Sequence, residues 1–245
     1  MPRVRLDKLL VDRGLAESRQ RASALIRAGV VLVDEVPRDK PGTQVRPEAT
    51  VRLKENPLPY VSRGGLKLEA ALETFGVDPT GRTCADLGAS TGGFTDCLLQ
   101  RGAVRVFAID VGYGQLAWSL RTDDRVVVME RTNARHLESL PDPVSLIVGD
   151  LSFISLSKVL PAIQRLAQPG TEAILLIKPQ FEVGRSKVAK GGVVKDDAAR
   201  TDAIARVQRD AQAQGAQVLG VMDSPVPGAK KGNIEALIHL DLRPC

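Results

Sequence analysis

An α/β fold with a mostly parallel sheet covered on both faces, preceded by a small α+β module, is predicted by three observations. From residue 64 onward, apolar strand-like runs alternate with helix-like segments, the pattern of a parallel sheet. A glycine-rich turn, Asp86-Leu87-Gly88-Ala89-Ser90-Thr91-Gly92-Gly93-Phe94, ends an early strand and opens a helix. Open parallel sheets bind ligands at such carboxyl ends. Residues 1–60 hold 12 Lys/Arg against 8 Asp/Glu, which accounts for most of the +5 net charge and sets this quarter apart.

The elements follow in order. Leu6, Leu9 and Leu10 have helical spacing over residues 5–13, and Gly14 is a stop signal. Ser18 can cap a second helix running to Ala28, with Ala22, Leu25 and Ile26 inward and Arg19, Ser23 and Arg27 on another face. Residues 30–33, 43–45 and 50–53 read as short strands of one small antiparallel sheet, with a turn at Asp34-Glu35. Residues 54–61 carry Pro57 and Pro59 and read as a linker between a 1–53 module and a 62–245 domain.

In the larger domain a helix covers 65–75, closed by Gly76. Strands are predicted at 83–88, 105–111, 126–130, 144–150 and 171–177. Helices are predicted between them at 93–101, 115–121, 134–139 and 156–167. A long helix over 196–214 then precedes strands at 216–222 and 234–242, which can pair as a hairpin at one edge.

A chain of 245 residues with 43% hydrophobic content can bury a core. No run of 18 apolar residues occurs and the N-terminus has no apolar signal core, so no membrane span and a cytoplasmic location are expected. Cys84, Cys97 and Cys245 are odd in number and widely spaced, against a disulfide framework or a zinc site. His136 and His239 lack metal-ligand partners at usable spacing, so no metal is expected. The basic first quarter suits a polyanion, nucleic acid foremost, as well as it suits an ordinary solvated surface.

No lysine follows Gly93, which removes a Walker A loop, and Gly88-x-x-x-Gly92-Gly93 departs from the dinucleotide spacing. Asp110 ends the second strand, where a carboxylate suits a ribose diol. A ribose, close backbone approach and no evident pyrophosphate fit S-adenosylmethionine, with Asp86 placed to hold its ammonium, directly or through water. The alternative is a tight turn without a ligand.

Four charged residues stand where charge needs a reason. Lys67 lies at a helix start, where a cation opposes the dipole. Asp150 and Lys178 end apolar strands, and Glu235 is near the start of the last strand. Converging, they make a coupled network in which a lysine can take the proton of a ribose 2′-hydroxyl. Read singly, they make two ordinary salt bridges flanking the sheet.

SRGGLKL, DLGASTGGF, DLSF, IKPQFE and NIEAL, in this order over residues 62–242, resemble the FtsJ-like ribose 2′-O-methyltransferases. RLDKLLVDRGLAESRQRASALIRAGVVLVDE, within residues 3–53, resembles an S4-type RNA-binding domain. The two together are similar to the TlyA family, some members of which carry a haemolysin label.

The resemblance implies a class I (Rossmann-like) methyltransferase sheet with an antiparallel C-terminal edge. It implies Lys67, Asp150, Lys178 and Glu235 as a Lys-Asp-Lys-Glu tetrad, with Lys178 the general base. It implies an S-adenosyl-L-methionine site formed by Asp86, Gly88, Ser90, Thr91, Gly92, Gly93, Phe94, Asp110, Val111, Asn133 and Asp150. The reaction implied is 2′-O-methylation of cytidine in ribosomal RNA, free or in subunits. Arg3, Arg5, Arg19, Arg21 and Arg27 would contact RNA phosphates. A monomer without membrane contact is expected.

Three other readings compete: a non-catalytic RNA-binding or ribosome-assembly protein, a membrane-lytic protein, and a pseudouridine synthase, another enzyme type that carries S4-like modules but is not supported by the sheet motifs, which match a methyl-donor fold. Binding of S-adenosylmethionine separates the first from an enzyme. Trp118 is expected to pack against the sheet or the cofactor edge. The basic loop at 185–192 is expected to form an RNA-contacting lid.

Overall fold

The computed structural model describes residues 3–54, 58–184, 188–189, 191–228 and 233–242. Residues 55–57 of the expected linker, Arg185, Ser186, Lys187 and Lys190 of the basic loop, and Cys245 lie outside them. Internal contacts divide the chain into two units, Met1–Gly65 and Leu66–Cys245.

In the first unit, β1 (Val4–Arg5) leads into α1 (Leu6–Asp12) and α2 (Arg19–Arg27). Leu6, Leu9 and Leu10 on α1 and Ala22, Leu25 and Ile26 on α2 are buried, so the helical apolar faces make this unit's core. Ser18 Oγ accepts from the Arg21 N–H at 3.1 Å and caps α2. The strands β2 (Val31–Val33), β3 (Val36–Arg38), β4 (Gln44–Val45) and β5 (Val51–Leu53) follow.

They form two sheets rather than the single one expected: β3-β2-β5, and a separate pair of β1 with β4. The difference lies in two strands without a readable pattern. β1 has two residues, and β3 is exposed throughout and contains Pro37. Leu58 and Tyr60, expected in a linker, are buried in this unit. The Arg21 guanidinium donates to the carbonyls of Leu58, at 2.6 Å, and Tyr60. A Cβ on Gly65 would lie 2.3 Å from the Tyr60 ring, so the ring occupies the space of the absent side chain.

The second unit is built on one seven-stranded sheet. Helix α3 (Gly64–Phe75) precedes β6 (Thr83–Leu87), α4 (Gly93–Gln100), β7 (Arg105–Ile109), α5 (Trp118–Arg121) and β8 (Val126–Met129). Then come β9 (Leu146–Gly149), α6 (Leu160–Leu166), β10 (Thr171–Ile177), α7 (Pro179–Glu182), α8 (Asp197–Ala213), β11 (Gln217–Asp223) and β12 (Ala236–Leu242). The strand order is β11-β12-β10-β9-β6-β7-β8, parallel except for β12, which runs antiparallel to both neighbours. Strands β9 and β10 are buried almost completely, as a doubly covered parallel sheet requires.

Several elements are shorter than the sequence suggests. The helix expected at 134–139 is one 3₁₀ turn, Ala134–His136, and that at 156–167 breaks into a 3₁₀ turn, Leu156–Lys158, and α6. Trp118 does not pack against the sheet; it is 72% exposed. Helix α5 is a single turn whose inward position belongs to Leu120, and residues two apart on a helix face different ways.

Candidate active site

The turn after β6 is shaped by its glycines. Gly88 has φ +85, and a Cβ there would lie 3.0 Å from the backbone oxygen of Asp150. Gly92, at φ +96, is the N-cap of α4, and a Cβ there would meet Leu120 Cδ1 at 2.2 Å. These positions let the turn lie directly on β9 and on α5. Asp110, just after β7, stitches the turn to its neighbour: Oδ2 accepts from Ser90 N–H at 2.8 Å and Oδ1 from Gly112 N–H at 2.7 Å.

Asp86 lies beneath the turn with no solvent exposure. Its Oδ2 accepts from Thr95 N–H at 3.0 Å and Thr95 Oγ1 at 2.7 Å, while Oδ1 has no partner among the described residues. Burial pushes this carboxyl up to about 7, against the pull of the Thr95 hydrogen bonds.

A cavity of about 450 Å³ opens at this end of the sheet, lined in part by Gly88, Ser90, Asp110, Asn133, Asp150 and Ser152. Val111 also borders it and is 68% exposed. Gly92, Gly93 and Phe94 are buried, so they shape the turn from behind, and Thr91 accepts from Ala117 N–H at 3.2 Å. Asn133 caps the 3₁₀ turn through its side-chain oxygen, which accepts from Arg135 N–H at 3.0 Å.

The four charged candidates form two ion pairs at the carboxyl end of the sheet. Asp150 and Lys178 directly follow β9 and β10. Glu235 directly precedes β12, whose reversed direction brings its start beside the end of β10, Ile177 opposite Ala236. Lys67 Nζ lies 2.5 Å from Glu235 Oε2, with side chains only 9% and 2% exposed. Lys178 Nζ lies 2.5 Å from Asp150 Oδ1. That contact is a close charge pair, poorly aligned for a hydrogen bond. The directional bond of Lys178 goes to Ser152 Oγ, at 2.7 Å.

Residues absent from the sequence-level site hold these pairs in place. Glu182 on α7 is buried; its carboxylate accepts from Ser155 Oγ at 2.6 Å and Leu156 N–H at 2.8 Å. It ties the segment after β10 to the segment after β9, and burial raises its pKa. Asn233 is buried, accepting from Val194 N–H and donating to the Gly192 carbonyl. Glu235 packs on Gly228, where a Cβ would meet Oε1 at 2.6 Å. Phe153 has φ +65, is 91% exposed, and its ring centroid is 5.3 Å from that of Phe181. Ser152, Phe153, Glu182 and Asn233 all fall in the motifs DLSF, IKPQFE and NIEAL. Their partners are distant in sequence, so only the motifs themselves could have signalled them.

The arginines of the first unit have different surroundings. Arg5 and Arg19 both pair with buried Asp7, at 2.8 and 3.1 Å. The hydrogen bond from Arg5 leads in holding that carboxyl down at about 2. Arg21 serves the carbonyls named above, and Arg3 and Arg27 are exposed.

Residues 60–242 match the FtsJ-like methyltransferase family model and residues 4–51 the S4 domain model. The chain is 51% identical over 241 residues to the 16S/23S rRNA (cytidine-2′-O)-methyltransferase TlyA of Mycobacterium tuberculosis, covering 97% of this chain and 90% of that one. It is similar to a solved Streptococcus thermophilus structure named for a hemolysin: TM-score 0.78, 41% identity, 99% of this chain and 89% of the other. An S-adenosylmethionine-dependent methyltransferase from Mesorhizobium loti shares the fold alone, at TM-score 0.53 and 14% identity over 70% of this chain and 96% of that one.

Proposed function

We infer the reaction from one premise: the chain belongs to the TlyA family of S4-bearing, FtsJ-like methyltransferases. The reaction is S-adenosylmethionine-dependent methylation of ribosomal RNA, and the finer assignment is the ribose 2′-hydroxyl of cytidine. The observation that carries it is Lys178 beside Asp150 and Ser152, at a cavity that two of the three line.

The site fits the methyl donor. A buried carboxylate with one unpartnered oxygen suits an ammonium, and Asp110 suits a ribose diol. Asp86, Gly88, Ser90, Asp110, Val111 and Asn133 would hold it, over a turn formed by Thr91, Gly92, Gly93 and Phe94. When bound, S-adenosylmethionine supplies an electrophilic methyl group on a sulfonium.

Lys178, after releasing one proton to solvent, accepts the proton of the attacking 2′-hydroxyl. Asp150 keeps it beside the cavity and balances the ammonium that forms. The buried Lys67–Glu235 pair holds a second cation at the same end of the sheet, where charge acts strongly in a poorly solvated site. Arg3 and Arg27 are among the exposed cations of the S4 unit and would meet phosphates, as would the outer parts of Arg5 and Arg19, which also pair with Asp7. The chain would act as a monomer on ribosomal RNA in the cytoplasm.

Lys178→Ala tests the base. Methyl transfer to ribosomal subunits should fall at least a hundredfold, in the range of a lost general base, while thermal unfolding shows an intact fold. Normal transfer by that variant refutes the assignment. Calorimetric titration with S-adenosylmethionine separates the enzyme from a non-catalytic RNA-binding protein, which would show no heat of binding. For the haemolysin label, no helix among the described residues is long and apolar enough to cross a membrane.

A further inference from the structure

We propose that Ser152 is a positioning residue that aims the amine of Lys178, an inference that rests on the reading of Lys178 as the base. Two groups touch this amine in different ways. Asp150 Oδ1 gives charge at 2.5 Å in a contact poorly aligned for a hydrogen bond. Ser152 gives a bond with a direction, Nζ to Oγ at 2.7 Å.

The distinction matters for proton transfer. A neutral lysine amine has two N–H bonds and one lone pair, and only the lone pair can take a proton. Charge attraction from Asp150 brings the protonated amine to the site; once Nζ has given up a proton, that attraction no longer fixes rotation about the Cε–Nζ bond. A hydroxyl that accepts one N–H fixes that rotation and so determines where the lone pair points. Ser152 lines the cavity with Asp150, so the residue that directs the amine borders the space where the donor would lie.

The segment carrying the serine is fixed in turn. Glu182 lies four residues after Lys178 and holds Ser155 and Leu156, three and four residues after Ser152. Drift of one loop against the other would break two hydrogen bonds to a buried carboxylate. The proton itself passes from the 2′-hydroxyl to Nζ, and the hydroxyl of Ser152 neither gains nor loses one.

The test compares Ser152→Ala, Ser152→Thr and Lys178→Ala in the full chain, using labelled S-adenosylmethionine and unmethylated ribosomal subunits. Ser152→Ala should lower kcat about ten- to a hundredfold, the scale of a lost hydrogen bond to a charged group. KM for both substrates and the unfolding temperature should stay at wild-type values. Ser152→Thr keeps the hydroxyl and should recover most of kcat. Wild-type kcat in Ser152→Ala, a rise in KM instead of a fall in kcat, or no recovery with threonine would each overturn the proposal. An inactive Lys178→Ala beside a fully active Ser152→Ala would sink the serine's role and leave the base standing. An active Lys178→Ala would sink the base itself.

Discussion

A buried carboxylate with a spare oxygen makes Asp86 a source of pH dependence. Its folded-state pKa of about 7 lies above the ordinary aspartate value, so the folded chain binds the proton more tightly than the unfolded one. Stability of the ligand-free protein therefore rises as pH falls from about 8 through 7 toward 4, and is lowest where Asp86 is charged. Asp86→Asn should remove this dependence and raise stability at pH 8 by on the order of a few kcal/mol, while weakening S-adenosylmethionine binding. Thermal unfolding between pH 5 and 8, with and without the donor, checks both effects. A variant as pH-sensitive as the wild type would show that the slope comes from elsewhere. Asp7 has the opposite sign: its lowered pKa gives stability that is present above pH 4 and lost toward pH 2.

At the scale of elements, the glycine turn and the last strand carry the site. Gly92→Ala forces a side chain into Leu120 from a left-handed backbone, with an expected cost of about 1–3 kcal/mol. Loss of donor binding should accompany the lower melting temperature; a variant with unchanged affinity would mean the turn is more plastic than drawn. Lys67→Ala leaves Glu235 buried without its cation, and such breaks cost about 3–5 kcal/mol. Chemical denaturation should show that loss, and a smaller one for Lys178→Ala, whose partner Asp150 is a quarter exposed.

Much of this was legible beforehand, for physical reasons. Buried strands such as Ala173–Ile177 are unbroken apolar runs, and a charge at their ends stands out. The turn at Asp86–Phe94 announces itself by composition. What was not legible depends on contacts across the chain: β1 with β4, Tyr60 under Gly65, Ser152 with Lys178, and Glu182 with Ser155 and Leu156. Trp118 misled because an aromatic residue favours burial on average, while one turn of helix has only one inward place, and Leu120 fills it.

For the whole molecule, the excess positive charge and the S4 match fall in the same unit. RNA affinity should fall linearly on a log–log plot against salt. Arg27→Gln should reduce that slope by about one, as the loss of one phosphate contact does. Arg21→Gln should leave the slope alone and lower the melting temperature instead, because its guanidinium is engaged with two carbonyls. Filter binding of the full chain to ribosomal RNA at several salt concentrations distinguishes the two. Equal slope changes would mean that Arg21 leaves its carbonyls for RNA.

The reversed β12 has a consequence for biosynthesis. It lies between β10 and β11, and the glutamate before it is 168 residues from the lysine it neutralises. Chains fold as they emerge, N-terminal parts first, so Lys67 waits for its counter-ion until a further 168 residues have been made. The two ion pairs come to the same end of the sheet only once β12, an interior strand, is in place. A chain that stopped before Glu235 would leave Lys67 without its counter-ion, and β10 and β11 without the strand that joins them.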